Sequence, residues 1–93
     1  MDATGVNADV AVVIPALNEA TVIGEVIAGL RSSIPLVILV DDGSQDGTGR
    51  VARAAGARVV RHGVNLGQGA ALRTGIAAAL RLPEVQWIVT FDA

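Results

Sequence analysis

Acidic and amide side chains collect at three places where an apolar run of the sequence ends. Asn18 and Glu19 follow the first of these runs. Asp41 and Asp42 follow the second, and Asp92 follows the last. Carboxylate oxygens bind Mg²⁺ and Mn²⁺, and they accept hydrogen bonds from the N–H groups of a base or the hydroxyl groups of a ribose. These residues predict either a nucleotide site with a metal ion or a set of turns and helix caps.

Each of these groups also has a structural interpretation. Asn18 is suited to cap a following helix, whose first turn would favour Glu19. Asp42 is typical of a turn, but two adjacent carboxylates repel each other, which favours a functional role for Asp41. Asp92 alone is typical of a turn former, although a second carboxylate two residues later would make an oxygen-ligand metal site.

The segments after the second and third runs carry further signals. Asp46 or Thr48 is expected to cap the second helix. In the glycine-rich stretch that includes Gly67, small residues let the backbone approach a ligand, or simply let a helix pack closely on a sheet. The helix that follows offers free N–H groups to an anion. His62, the only histidine, is expected on a surface loop rather than in catalysis.

Four apolar runs predict the strands that position these residues. The first, second and fourth are nearly continuous, which is typical of central parallel strands, whereas the third alternates charged and apolar residues as edge strands do. The runs span residues 10–14, 36–40, 57–61 and 86–91.

Helical periodicity lies between the strands. Residues 22–30 and 72–80 each present one apolar face, and a weaker helix is expected over about 48–55. Strict alternation of strands and helices predicts an α/β fold, with a parallel sheet built from right-handed crossovers. Ligands bind at the carboxyl ends of the strands of such sheets, which is where the acidic residues lie.

The composition indicates one domain with an aliphatic core. The 93 residues are 52% hydrophobic but only 2% aromatic, so the core must be built from Val, Ile, Leu and Ala. A net charge of −2 argues against the basic surface of a nucleic-acid-binding domain, and the absence of cysteine excludes thiolate metal sites. No apolar run approaches the roughly 18 residues of a membrane span, and residues 1–9 lack the features of a signal peptide. We therefore expect a cytoplasmic location.

A dinucleotide-binding fold is the main alternative. That fold requires the pattern G-x-G-x-x-G directly after the first strand, where this sequence has Pro-Ala-Leu-Asn-Glu at 15–19. Asp41 nevertheless lies where such a fold keeps its ribose-binding acid. A nucleotide- or dinucleotide-binding module without catalysis therefore stays open as an alternative function.

Four segments together resemble one family, and the resemblance covers residues 10–93. They are similar in order, spacing and position to the N-terminal half of the family 2 glycosyltransferases of the GT-A fold, and among these to polyprenyl- and dolichyl-phosphate sugar synthases. The segments are VVIPALNEA (12–20), VILVDDGSQDGT (37–48), NLGQGAALRTGIAAA (65–79) and IVTFDA (88–93).

The resemblance implies a fold and a reaction. The expected fold is a three-layer, Rossmann-like half with four parallel strands in the order 3-2-1-4, formed by residues 9–93 after a flexible tail of residues 1–8. The implied reaction is transfer of a sugar, with inversion, from a nucleoside diphosphate of the UDP or GDP type. The implied acceptor is a lipid phosphate such as polyprenyl or dolichyl phosphate, at the cytoplasmic face of a membrane.

The resemblance also implies roles for single residues, none of them catalytic. Asp92 matches the first member of an Asp-x-Asp element that binds Mg²⁺ or Mn²⁺ on the diphosphate. Two positions depart from the family pattern: Leu17 stands where an aromatic residue is common, and Gln68 stands where Lys is common. The implied nucleotide-binding residues are Pro15, Ala16, Asn18, Glu19, Asp41, Asp42, Gly67, Gln68 and Arg73.

Two expectations concern the chain as a whole. Because the second Asp of the metal element and an acceptor half would lie beyond Ala93, we expect a nucleotide-binding portion that is truncated at its metal motif and inactive alone. An exposed edge at the fourth strand would invite pairing with another copy, so we also expect a homo-oligomer.

Overall fold

A computed structural model describes residues 8–92, in which strands and helices alternate as the sequence predicts. The predicted tail falls largely on residues 1–7, and these lie outside the described residues. The strands are β1 (Val10–Ala16), β2 (Leu36–Asp41), β3 (Arg58–Arg61) and β4 (Trp87–Thr90). The helices are α1 (Ile23–Arg31), α2 (Thr48–Ala54) and α3 (Gln68–Leu80).

All strand pairs in the described sheet are parallel, and their order is β3-β2-β1-β4. This confirms the predicted α/β class, the Rossmann-like sheet and the strand order. The carboxyl ends of β1 and β2 are in register, with Ala16 beside Asp41. Side chains that follow these strands are thus brought to one edge of the sheet, as the binding-site argument requires.

Helices cover both faces of the sheet because β1 and β2 are apolar on both faces. Val12 and Leu39 belong to the face that packs on α1, where Ile23 and Ile27 are buried. Ala11, Val13 and Ile38 belong to the opposite face, which packs on α3 through Ala79. Two aliphatic half-cores result, one on each side of the sheet.

Helix α3 packs closely on the sheet. Its buried positions are Ala71, Gly75 and Ala79. A Cβ atom added at Gly75 would overlap Cγ1 of Val13 and would lie 3.1 Å from Cγ2 of Val40. The close packing thus depends on Gly75, which lies outside the glycine-rich stretch, whereas an added Cβ atom at Gly67 would meet no atom within 4 Å and packing does not explain that glycine.

Strand β4 lies where the predicted strand order places it, although not where its apolar run alone would suggest. Its apolar run is typical of a central strand, but in the described sheet β4 lies at an edge beside β1. Trp87 and Val89 are 65% and 47% exposed.

The longest of the described helices, α3, has 13 residues, and none of these helices is long and apolar enough to cross a bilayer.

Candidate functional site

A cavity of about 350 Å³ opens at the carboxyl edge of the sheet. Its walls come from the ends of β1, β2 and β4, from the loop after β3 and from the first turns of α3. This is where ligands bind in open parallel sheets. The lining residues are Pro15, Ala16, Leu17, Glu19, Asp42, Asn65, Gly67, Gln68, Ala71 and Asp92.

The wall after β1 is held by the loop after β2. Three consecutive backbone N–H groups of the β1–α1 segment donate hydrogen bonds to side-chain oxygens of that loop and of the first residue of α2, which fixes the path of the segment beside the cavity. The pairs, with their N···O distances, are Asn18 with Ser44 Oγ (2.8 Å), Glu19 with Thr48 Oγ1 (2.9 Å) and Ala20 with Asp46 Oδ2 (3.1 Å).

Asn18 is a turn residue in this arrangement. Its φ of 54° lies in the left-handed region, which Asn tolerates better than most residues. Its Oδ1 accepts a hydrogen bond from the Gln45 N–H at 2.9 Å. The prediction that Asn18 caps α1 is wrong, because α1 begins only at Ile23 and its N-cap, Val22, makes no side-chain hydrogen bond.

Asp46 accepts hydrogen bonds both from the β1–α1 segment and from the start of α2. Its Oδ1 accepts a hydrogen bond from the N–H of Thr48, the first residue of α2, at 3.1 Å, so Asp46 does satisfy this helix start. The N-cap position itself is Gly47. The Thr48 hydroxyl also donates to Oδ1, and this hydrogen bond is the main cause of the lowered pKa of Asp46.

Asp42 lies on the cavity wall and organises the loop after β3. Its Oδ1 accepts hydrogen bonds from the Leu66 N–H at 2.9 Å and from Nδ1 of His62 at 2.7 Å. Its Oδ2 accepts from the Gly67 N–H at 2.9 Å. The hydrogen bond from His62, followed by that from Leu66, holds the pKa of Asp42 below its ordinary value. Asp42 is therefore a fixed, ionised carboxylate.

His62 is not the surface residue that the sequence suggested. Its side chain is only 10% exposed. Because the Asp42 carboxylate can only accept, Nδ1 of the ring must carry a proton. The other ring nitrogen, Nε2, lies 2.8 Å from Oγ1 of Thr74 in α3. His62 thus connects the end of β2 with the middle of α3.

Asp41 lies on the opposite face of the sheet from Asp42. It is fully buried, its Oδ1 accepts from the Ser44 N–H at 2.9 Å, and its Oδ2 is paired with the Arg61 guanidinium. A separate cavity of about 470 Å³ lies on this side, next to α2. Asp41 does not line the cavity that contains Asp42, so its position does not support the predicted contact with a nucleotide in that cavity.

Residues 11–93 match the model of the family described as glycosyl transferase family 2. The chain belongs to this family. A protein of Methanocaldococcus jannaschii that is described as uncharacterized is 44% identical over 86 residues, which are 91% of this chain and 35% of that protein.

Solved structures of related enzymes share the fold. Glucosyl-3-phosphoglycerate synthase from Mycobacterium tuberculosis, with Mn²⁺, UDP and glucosyl-3-phosphoglycerate, is 32% identical at a TM-score of 0.69, covering 97% of this chain and 35% of that one. Mannosyl-3-phosphoglycerate synthase from Rubrobacter xylanophilus is 29% identical at a TM-score of 0.64, covering 75% and 26%. The chain thus spans about a third of the length of these relatives, or less.

In this member of glycosyl transferase family 2, the structure brings seven of the ten predicted site residues into one cavity. Asn18, Asp41 and Arg73 lie outside this cavity. Arg73 is an exposed residue of α3 beside Gly69. Leu17, Asn65 and Ala71 also line the cavity but are not among these ten. The seven residues in the cavity are Pro15, Ala16, Glu19, Asp42, Gly67, Gln68 and Asp92.

Three of the polar groups on the cavity wall are available to a ligand. The side chains of Glu19, Gln68 and Asp92 make no hydrogen bond or ion pair with any other residue in the range 8–92. Glu19 and Asp92 line the same cavity as Asp42. The cavity therefore carries three carboxylates, which come from three different strand ends.

The donor set fits a metal ion that is shared with a substrate better than one held by protein alone. Within residues 8–92, no three His, Cys, Asp or Glu side chains are grouped closely enough to hold a metal. Mg²⁺ commonly binds one or two carboxylates together with substrate phosphates. Asp92 lines this cavity, has no hydrogen-bond or ion-pair partner among residues 8–92, and is suited to that kind of site.

Proposed function

We propose that this cavity binds the nucleoside diphosphate part of an activated sugar, of the UDP or GDP type, for transfer of the sugar to an acceptor. The observation that carries the proposal is that Glu19, Asp42 and Asp92 line the same cavity. Membership of glycosyl transferase family 2 supports it, as do the solved relatives that contain UDP.

Asp42 is suited to bind the base. A carboxylate has about four acceptor positions, and the loop after β3 occupies two on Oδ1 and one on Oδ2. The remaining position can accept an N–H of the base. Because the loop already holds the carboxylate in place, little side-chain freedom is lost on binding.

Glu19 is suited to bind the ribose. Its backbone is fixed, because its N–H donates to Thr48 and its carbonyl accepts from the N–H groups of Val22 and Ile23. Its carboxylate makes no hydrogen bond or ion pair within the described part of the chain and can accept hydrogen bonds from ribose hydroxyls.

Asp92 is suited to the diphosphate end, where we propose that it supplies one oxygen ligand to Mg²⁺ or Mn²⁺. The relatives solved with UDP contain one or the other ion. Such an ion supplies Lewis-acid stabilisation of the negative charge on a leaving diphosphate. Gln68, at the start of α3, can donate from its amide to the same phosphates.

The acceptor is proposed to carry a phosphate group. Two of the solved relatives are named as synthases of glycosyl-3-phosphoglycerate, which makes phosphoglycerate the first candidate. A polyprenyl or dolichyl phosphate, expected from the sequence, has the same anionic chemistry and is the second candidate. Inversion at the sugar and the cytoplasmic location remain predictions.

Titration calorimetry with UDP and GDP, with and without Mn²⁺, tests the nucleotide site. We expect metal-dependent binding that weakens about tenfold or more in Glu19→Gln and Asp92→Asn, since each loses a contact made by a charged group. Glu84→Gln, at an exposed acid outside the cavity, should bind as the wild type does.

Two results would contradict the proposal. One is a wild-type chain that binds neither nucleotide in the presence of Mn²⁺. The other is metal-independent binding of NADH in preference to UDP and GDP, which would favour the dinucleotide-binding alternative.

A further inference from the structure

His62 occupies a position at which three elements meet beside the cavity. The residue follows β3, its Nδ1 lies 2.7 Å from Oδ1 of Asp42 after β2, and its Nε2 lies 2.8 Å from Oγ1 of Thr74 in α3. Of these three residues only Asp42 lines the cavity. The imidazole is therefore one contact removed from any bound nucleotide.

The contact with Asp42 bears on the shape of the cavity wall. Besides His62, the Asp42 carboxylate accepts from the N–H groups of Leu66 and Gly67. The same loop lies tightly against the end of β2, since a Cβ atom added at Gly43 would lie 2.8 Å from the backbone N of Asn65. The orientation of the Asp42 carboxylate therefore determines both which oxygen position can accept a hydrogen bond from a ligand and the path of the loop after β3.

Imidazole is well matched to this position. Its two nitrogens point to opposite sides of one rigid ring, so a single side chain reaches both Asp42 and Thr74. Nδ1 is a donor to the carboxylate, and the Thr74 hydroxyl can rotate to donate or accept at Nε2. With the ring only 10% exposed, bulk water has little access to replace it.

We propose that His62 is a positioning residue of the nucleotide cavity. Through its hydrogen bond it fixes the rotamer of Asp42, and through Thr74 it ties that rotamer to the position of α3. The inference rests on the proposed function, because its consequence is tighter binding of a nucleoside diphosphate. A purely structural tie would stabilise the fold without selectively improving nucleotide binding.

The backbone geometry makes the proposal accessible to mutation. The His62 N–H donates to the carbonyl of Asp41 at 2.9 Å, a contact that does not involve the ring. Replacing the side chain therefore leaves this backbone attachment in place. Thr74→Val, which keeps the shape of the side chain and removes the hydroxyl, provides a second and milder variant.

The test measures the dissociation constant of UDP with Mn²⁺ by calorimetry, alongside urea unfolding. We expect His62→Ala to raise the constant about tenfold or more, since Asp42 loses the shortest of its hydrogen bonds. His62→Asn, whose amide can still donate to Asp42, should recover most of this loss. Thr74→Val should raise the constant about threefold.

A matched control separates positioning from stability. Val26→Ala in α1 removes packing from the half-core on the other face of the sheet and leaves the cavity untouched. It should lower the free energy of unfolding while UDP binds as in the wild type. The double variant His62→Ala/Thr74→Val should bind no more weakly than His62→Ala, because the link is already broken.

The outcomes are distinguishable. A wild-type chain that binds no UDP overturns the proposed function itself. If wild type binds and His62→Ala binds equally well, only the positioning role is overturned. Equal losses of binding in Val26→Ala and His62→Ala would also overturn it, as would a failure of His62→Asn to bind better than His62→Ala. If His62→Ala does not fold, unchanged binding by Thr74→Val overturns the positioning role, and a weakened affinity supports it.

Discussion

Strand alternation gives the adjacent carboxylates Asp41 and Asp42 different environments. Asp41 continues the face of β2 that carries Val37 and Leu39, and it is buried beneath α2 with Arg61 as its partner. Asp42 continues the opposite face and reaches the cavity. Because successive residues of a strand point to opposite faces, only one of the pair can serve this site.

Asp42 also links the stability of the fold to pH. Its pKa lies below the ordinary value of 3.8, mainly through the hydrogen bond from His62. As pH falls, the unfolded chain takes up this proton first, so the stabilisation is present above about pH 4 and is lost as pH falls through the folded-state pKa. The free energy of unfolding of Asp42→Asn should therefore fall less steeply with decreasing pH than that of the wild type.

Urea unfolding at a series of pH values between 7 and 3 measures this effect. The free energy of unfolding of Asp46→Asn should also fall less steeply in acid, because the pKa of Asp46 is lowered by its hydrogen bond with Thr48. If the free energy of unfolding of Asp42→Asn falls as steeply in acid as that of the wild type, Asp42 does not contribute to the pH dependence of stability.

At the scale of elements, the distance between α3 and the sheet is set by Gly75. A methyl group there would overlap Val13, so Gly75→Ala must push the helix away or distort β1. Overpacking of this kind typically costs about 1–3 kcal/mol. Since Ala71 and Gln68 on the same helix line the cavity, we also expect weaker UDP binding.

Gly29→Ala is the matched control for this prediction. Gly29 lies inside α1, and no atom within 4 Å would meet an added Cβ. The same substitution should there stabilise the protein by about 0.5–1 kcal/mol, because alanine favours helix. Urea unfolding of both variants measures the difference. Equal effects at the two positions would contradict the account of α3 packing.

The arrangement of elements was predictable because apolar periodicity and strand–helix alternation are local signals. The strand-end rule then brought Pro15, Glu19, Asp42 and Asp92 to one cavity, as observed. The rule cannot say which loop side chains bond to each other. Asn18 was therefore assigned to a helix cap and to the nucleotide, whereas its oxygen is engaged by Gln45.

The role of His62 was missed for a related reason, although a signal was present. Residues Asp41 and Arg61 are cross-strand neighbours in the parallel register, so the residue after each strand, Asp42 or His62, points to the other face. Extending the alternation by one residue past both strands would have predicted their contact. The partner in α3, Thr74, depends on helix placement and carries no comparable sequence signal.

At the scale of the whole molecule, β4 is one of the two edges of the described sheet, the other being β3. An edge strand presents unpaired backbone N–H and C=O groups, and Trp87 beside them is 65% exposed. Pairing of two copies about a two-fold axis would bring their β4 strands together in antiparallel orientation. We therefore expect this chain to dimerise through β4 as its concentration rises.

Light scattering over a range of concentrations tests this expectation, with a mass that rises above the 9.4 kDa of one chain. Trp87 is the only tryptophan, so its fluorescence emission should shift to the blue as the edge is covered. Val89→Lys should keep the chain monomeric, because lysine on an edge strand opposes pairing. Val22→Lys, at an exposed apolar residue outside the sheet, should leave association unchanged. A constant monomer mass with unshifted Trp87 emission would exclude pairing through β4.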